Sequence, residues 1–335
     1  MLGFNSQIDH SWLDDEPLPL FANRHGATVM QWFFDHPSVR WPEFNYSDRV
    51  TSRFVFHSNY SQLYFDKFCC PGAVTTTAGS IGPNWRSRSV TNRSDAFLGR
   101  PLSCLIALNL KRFGKTIRET EEEIAGLAQP LPAVIKEAVI QARLDLDGPL
   151  ETHLSTALAA RGIVVDPATF NRYFRLVNDA IQYWRRSFIF QIARRFDVRI
   201  QSDATAGALM EGGRATVRQD VSSTETLVTL PLYRAVLSVC PVNDSIHDRT
   251  CNALNAGCVP ILEDNRAHRH LFRHGWNSLL SRYNDESLAD CLELVCNDPK
   301  AVYSMAQQAK IMRDESPFRF GAFSNIVALA AQPQP

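Results

Sequence analysis

The sequence predicts an α/β protein built on parallel sheets and divided into two domains. Short apolar runs alternate with amphipathic stretches, which is the pattern of strands and helices in βα units. The 335 residues exceed what one compact core usually holds. In TCNALNAGCVPILED, residues 250–264, a helical run meets a glycine and then an apolar strand with no spacer.

The elements follow in order. Residues 27–35 (ATVMQWFFD) read as a buried strand stopped by His36-Pro37, and 53–57 (RFVFH) as a second strand. Ser58-Asn59 caps a helix over SQLYFDKF, and the Thr/Ser/Gly/Asn-rich stretch 75–93 reads as a loop between domains. A strand over 102–108 opens the second half, followed by the basic turn NLKRFGK. Residues 116–196 are helical throughout, and the last helix carries Phe170, Phe174, Val177, Ile181, Trp184 and Phe188 as a core-facing stripe. Asp166-Pro167 starts that helix as N-cap and first-turn proline. Strands and helices then alternate: 197–200, the end of 232–240, 258–262, a helix capped by Asn284-Asp285, and another opened by Asp298-Pro299. The expected boundaries are a shortened Rossmann-like domain over 1–95, a second Rossmann-like domain over 96–320 with a helical insert over 116–196, and a tail over 321–335.

Lys plus Arg equals Asp plus Glu at 35 each, so no global basic field points to nucleic acid. No stretch reaches the ~18 apolar residues of a spanning helix, and the first residues lack a basic and an apolar signal region. The eight cysteines form no CxxC pair and sit mostly in apolar runs, the pattern of reduced, buried thiols. A cytoplasmic setting is expected, with peripheral contact to the inner face of the membrane as its extension. His268, His270 and His274 lack a matching acidic ligand pattern, so no metal site is expected.

In an open parallel sheet, ligands bind at the carboxyl ends of strands and the amino ends of the helices that follow. The crossing VCPVNDS (239–245) is such a place, and the helix after it offers free amides and a positive dipole end. The strand over 258–262 returns to the same edge with Glu263 and Asp264 at its tip. Asp244, Arg249 and two carboxylates are thereby gathered around one crevice, which suits a diphosphate and sugar hydroxyls.

These residues carry a resemblance. Arg249-Thr-Cys-Asn252-Ala253-Leu-Asn-Ala256-Gly257-Cys-Val-Pro260-Ile-Leu-Glu263-Asp264, then Trp276-Asn-Ser-Leu-Leu, Asp285-Glu-Ser-Leu-Ala-Asp, Asn297-Asp298-Pro299 and Arg319 run in the order found in GT-B glycosyltransferases. The match over 233–320 is similar to the carboxy-terminal domain of the spore-maturation-protein-B-like, glycosyl transferase group 1 enzymes. Weaker pieces lie at 195–200 and 32–37. The resemblance implies a GT-B-like fold of two Rossmann-like domains and transfer of a sugar from a nucleotide sugar, bound as substrate with no cofactor and no metal. The acceptor would be a glycan, a lipid-linked glycan or a protein, as in cell-surface glycan synthesis. The chain departs from the pattern where retaining members carry two glutamates separated by seven residues: Asp244 and Asn252 stand there. No glycine follows the strand at Gln201-Ser202-Asp203, and only 26 residues precede Ala27, so a protein partner completing the first domain is a further expectation.

The roles expected are therefore these. Asp35 or His36 takes the acceptor proton, unless Asp35-His36-Pro37 only ends a strand. Lys111 and Arg112 neutralise charge on the leaving diphosphate, unless they form a solvated basic turn. Asp244, Arg249, Asn252, Glu263 and Asp264 contact the donor. Arg249 is the sharpest of them, because a cation beside a helix amino end is unfavourable without an anion there. The rival readings are a degenerate, non-catalytic transferase-like partner protein and a nucleotide-sugar epimerase. A dinucleotide oxidoreductase is not expected, since no G-x-G-x-x-G follows any strand.

Overall fold

The computed structural model describes residues 2–4, 12–13, 16–17, 21–22, 24–25, 27, 29–33, 37, 52–56, 59–69, 73–77, 94–109, 116–219, 221–239 and 246–315. Two parallel sheets with helices packed against them make up the molecule, which is the α/β architecture the pattern predicts.

The first sheet holds β1 (Leu2–Phe4), β4 (Val29–Phe33), β5 (Ser52–Phe56) and β6 (Val74–Thr77) in the order β1-β4-β5-β6, all parallel. A two-stranded antiparallel ribbon of β2 (Trp12–Leu13) and β3 (Glu16–Pro17) lies between β1 and β4 in sequence. Helix α1 (Asn59–Tyr64) follows β5 and widens into a π-helical turn over Phe65–Cys69. Two expectations change here. Residues 74–77 form a strand rather than the start of a loop, since β-branched Val and Thr suit a pleated backbone. The first residues also supply a strand, β1, which pairs with β4 from Leu2↔Met30 onward. The expected loop over 78–93 and the tail over 321–335 lie outside the described residues.

The second sheet has six parallel strands: β7 (Leu102–Ala107), β8 (Arg199–Ser202), β9 (Thr216–Gln219), β10 (Tyr233–Leu237), β11 (Val259–Glu263) and β12 (Leu279–Ser281). Their spatial order is β12-β11-β10-β7-β8-β9. Counting β7 as strand one, this is the doubly wound order 3-2-1-4-5-6, which reverses between β7 and β10. Helix α2 (Ser94–Leu98) precedes β7. Between β7 and β8 stand four helices: α3 (Ile117–Ala125), α4 (Leu131–Leu144), α5 (Leu150–Ala159) and α6 (Pro167–Ala193). Local signals set their starts. Thr116 and Glu119 form a reciprocal capping box, and Asp166 accepts from the amides of Ala168 and Thr169.

Helix α6 enters two cores. Its first half places Phe170, Phe174, Val177 and Ile181 among Phe33, Phe54, Phe56 and Tyr64 of the first sheet and α1. Its last turns place Ile189, Phe190 and Ala193 against Ile106, Ile200, Leu237 and Ile261 of the second sheet. The first contact is also polar: the Tyr64 hydroxyl donates to Asn171 Oδ1 at 2.6 Å, and Asn171 Nδ2 donates to the Phe68 carbonyl at 3.3 Å.

The remaining helices are α7 (Ala204–Met210), α8 (Ser223–Thr229), α9 (Asp248–Asn255), α10 (Arg266–Leu271), α11 (Asp285–Asn297) and α12 (Pro299–Glu315). The joint at residues 250–264 resolves as a helix end of defined type. Gly257 adopts φ 68°, its amide reaches the Leu254 carbonyl at 3.1 Å, and the Cys258 amide reaches the Ala253 carbonyl at 2.9 Å. That is a Schellman closure, and the left-handed φ is why a glycine stands there. Arg100 completes it from below. Its buried guanidinium donates to the carbonyls of Tyr233 (2.6 Å), Gly257 (3.0 Å) and Ala256 (3.1 Å).

Arg100→Met removes three charge-assisted bonds, and the Ala256 and Gly257 carbonyls at the helix end lose their charged donor. Unfolding in urea is expected to show a loss of at least about 3 kcal/mol, several times that of an exposed arginine such as Arg118→Met. An equal, small loss for both would contradict the role given to Arg100.

Candidate functional site

The carboxyl edge of the second sheet collects the polar ends of five strands. The strand order reverses between β7, described as far as Asn109, and β10, described as far as Val239, and in open parallel sheets such a reversal is where ligands bind. Helix α9 begins at this edge. His247 is its N-cap, with Nδ1 accepting from the Arg249 amide at 3.1 Å. The buried Thr250 hydroxyl bonds the buried Ser238 hydroxyl at 2.9 Å, tying the first turn of α9 to the end of β10. The described start of the loop after β7 is held too: Arg186 Nη1, on α6, donates to the Asn109 carbonyl at 2.7 Å.

Of the residues expected to act, Arg249 and Asn252 lie on α9, both half-buried and three positions apart, so they share one side of the helix. Glu263 ends β11 and Asp264 follows it, opposite Ser281 of β12. The two carboxylates differ in environment. Asp264 is partly accessible and is gripped by Arg269 Nη1 at 2.9 Å and Arg282 Nε at 2.6 Å. Partial burial acts to raise its pKa, but the bonds from Arg282 and Arg269 outweigh it and hold the carboxyl below its usual range. Glu263 is 1% exposed, with Oε1 3.0 Å from Nη2 of Arg185, itself 0% exposed. Burial raises the Glu263 pKa and the Arg185 charge opposes that rise. Glu263 thus reaches the tip of its strand, as the sequence implied, but its carboxylate faces inward toward α6 and offers no open oxygen at the rim. Asp35, His36, Lys111, Arg112 and Asp244 lie outside the described residues.

Residues for which the sequence predicts no role at this edge complete it. His268, 0% exposed, accepts nothing through Nδ1: that nitrogen lies 2.8 Å from the Glu263 carbonyl, which can only accept, so Nδ1 carries the proton. Burial depresses the His268 pKa to about 4, against smaller opposing effects of that carbonyl and the Asp264 charge. Asp147, in the turn between α4 and α5, accepts from the Arg266 amide and pairs with Arg269, so the helical layer touches the start of α10. Arg185 carried a visible signal: it stands four residues after Ile181 and four before Ile189, a charge on an otherwise apolar helix stripe.

Among solved structures, the chain is similar to the crystal structure of TarM, with TM-score 0.48 and 7% identity over 96% of this chain and 59% of that one. It is likewise similar to Anabaena Alr3699/HepE in complex with UDP and glucose, with TM-score 0.46 and 11% identity over 93% and 73%. A third is the pneumococcal O-GlcNAc transferase GtfA in complex with UDP and GlcNAc, with TM-score 0.42 and 9% identity over 93% and 59%. The chain therefore spans 59% of the length of TarM and of GtfA. No family model and no curated protein matches the sequence. Among the described residues, no helix is long and apolar enough to cross a membrane.

His268 makes stability depend on pH in a definite direction. Its folded pKa of about 4 lies below the unfolded value, so between these the unfolded chain takes up the proton and the folded chain does not. The stability that neutral His268 confers is present above the unfolded pKa of about 6.5 and falls away toward pH 4, by up to about 3 kcal/mol. Urea unfolding of wild type and His268→Gln at pH 7 and pH 4 is expected to show their stabilities converging at the lower pH. A constant difference would contradict the burial assigned to the imidazole.

Proposed function

We propose that the protein transfers a sugar from a nucleotide-sugar donor to an acceptor hydroxyl, with the donor diphosphate held at the carboxyl edge of the second sheet. One observation carries this reading: the strand order reverses between β7 and β10, and α9 begins beside that reversal with Arg249 in its first turn. A cation in the first turn of a helix opposes the helix dipole, and a bound diphosphate would convert that conflict into attraction. Asn252, on the same side of α9, can pair with ribose or sugar hydroxyls as donor or acceptor.

The reaction asks for few groups. The acceptor oxygen forms a bond to the anomeric carbon, the bond from that carbon to the phosphate oxygen breaks, and the nucleoside diphosphate leaves with the electron pair. The acceptor proton goes to a base, for which Asp35 or His36 is proposed on the strand end of the first sheet. Charge accumulates on the leaving diphosphate, so its stabilisation by Arg249, and by Lys111 and Arg112 from the segment after β7, is the chief electrostatic task. Asp244 and Asp264 are proposed to orient donor hydroxyls. In this scheme no metal or cofactor is needed, and the acceptor is a glycan, lipid-linked or protein hydroxyl. The two sheets would close on the donor and keep water from competing with the acceptor.

Nucleotide binding is read by thermal shift, and turnover by release of UDP, GDP or dTDP from their sugars. One nucleotide is expected to raise the melting temperature. Arg249→Ala is expected to weaken that binding at least tenfold, as loss of a charge-assisted bond does, and Asn252→Ala only about fivefold. If no nucleotide shifts the melting temperature and no nucleoside diphosphate is released, the transferase reading fails, and a non-catalytic partner of another transferase remains.

A further inference from the structure

The ion pair between Arg185 and Glu263 stands where two parts of the molecule meet. Arg185 lies on α6 between Ile181, the last buried α6 residue of the first core, and Ile189, the first fully buried α6 residue of the second, with Trp184 and Phe188 beside it packed against the second core. Glu263 lies at the carboxyl tip of β11, the neighbour of β10 at the candidate crevice. Both side chains are withdrawn from solvent, and their closest approach is 3.0 Å. Aromatic rings enclose the pair: the guanidinium carbon lies 5.9 Å from the centre of the Tyr283 ring, and Trp184 and Phe188 meet that ring edge-on.

A buried ion pair is a poor source of net stability, because desolvating both charges offsets most of their attraction, and apolar side chains of similar size often serve stability as well. Its particular property is geometric. An apolar contact tolerates sliding and rotation of a helix by an ångström or more, whereas two charges withdrawn from solvent keep their attraction only while they stay close, and among the described residues neither Glu263 oxygen has a hydrogen bond to fall back on. The neighbouring residue repeats the arrangement at the surface: Asp264 holds Arg269, which also pairs with Asp147 of the helical layer. Glu263 is thus tied to α6, and Asp264 links the strand tip to α10 and to Arg282 after β12.

We propose that Arg185 is a positioning residue: by holding Glu263 it fixes the rotation and axial register of α6 over the carboxyl edge of the second sheet, and with it the angle at which the first sheet faces the candidate crevice. The catalytic part of this inference rests on the transferase reading; the mechanical part does not. Arg185 touches no reacting atom in this scheme. Its influence on turnover runs through the distance between groups on the two sheets, where misplacement by about 1 Å can lower a rate by about two orders of magnitude.

The test uses the full chain and the double variant R185M/E263L, which keeps volume and burial while removing both charges. It is expected to fold with a melting temperature equal to or above wild type and to bind the nucleoside diphosphate with a Kd within about threefold of wild type. Hydrogen exchange in α6 around residues 182–188 and in β11 is expected to accelerate at least tenfold, with exchange unchanged around residues 170–178. Turnover of the nucleotide sugar is expected to fall at least tenfold. Should the double variant not fold, Arg185→Lys carries the same comparison, since it keeps the charge and loses the planar fork. Unchanged exchange at the junction in the folded variant overturns the inference whatever the activity. Altered exchange with wild-type turnover overturns its catalytic part. A wild-type protein that neither binds nor consumes any nucleotide sugar overturns the transferase reading and leaves the exchange result to decide the rest.

Discussion

The structure depends on one helix serving two cores. At 27 residues, α6 is about 40 Å long at the usual rise per residue, enough to cross from the first sheet to the second without a break. A helix cannot bend sharply without a proline, a bulge or an inserted side chain, so the two cores it enters are oriented by a single rod. The change of occupant along its stripe follows from this. Aromatic residues from Phe170 to Phe174 meet the Phe-rich face of β4 and β5, and the smaller Ile189 and Ala193 meet the β-branched and aliphatic face of β7, β8 and β11. Arg185 stands where the helix passes from the first core to the second, between Trp184 and Phe188, which already pack against the second.

The position of the crevice follows from chain connectivity rather than from any one residue. Right-handed crossovers carry the chain from β7 outward to β8 and β9, and a second set carries it outward from β7 on the other side to β10, β11 and β12. In sheets of this order the connections leaving the two strands at the reversal generally run in opposite directions and leave room for a ligand between them. The helical insert deepens that asymmetry. It occupies the first of these crossovers, so the connection after β7 passes through the layer that packs on the first sheet before it returns to β8.

Much of this was legible in the sequence, and what escaped did so for physical reasons. The joint at residues 250–264 was legible because helix termination is chemically local: a glycine at positive φ, small residues behind it and an apolar strand in front. The long helices were legible from their period and their caps, Thr116, Asp166 and Asn284. The short strands were not. β1 and β12 have three residues each, too few to show alternation, and β9 is an edge strand whose residues are mostly exposed. The polar side of the site was the least legible part. Glu263 looked like a rim carboxylate because it ends a strand; only its contact with a side chain 78 positions earlier turns it inward. Arg185 was the local hint, a charge at a core position of an apolar stripe, but its partner is set by tertiary packing alone.

The two edges of the second sheet are built to opposite ends. At the amino edge, Arg100 fills the carbonyls that end α9 and begin β10, the glycine cap closes the helix, and the Cys258 thiol, its pKa pushed up to about 11 by burial, reaches the Leu230 and Tyr233 carbonyls. At the carboxyl edge, α9 is held by a histidine N-cap and one hydroxyl pair, Thr250 with Ser238. The last turn is thus closed by a charged group that donates to main-chain carbonyls, and a histidine and a hydroxyl pair are among the groups at the first turn. The first turn also carries Arg249 and lies at the edge where the strand order reverses. The anchored last turn gives the helix a fixed base beneath the edge at which the donor is proposed to bind.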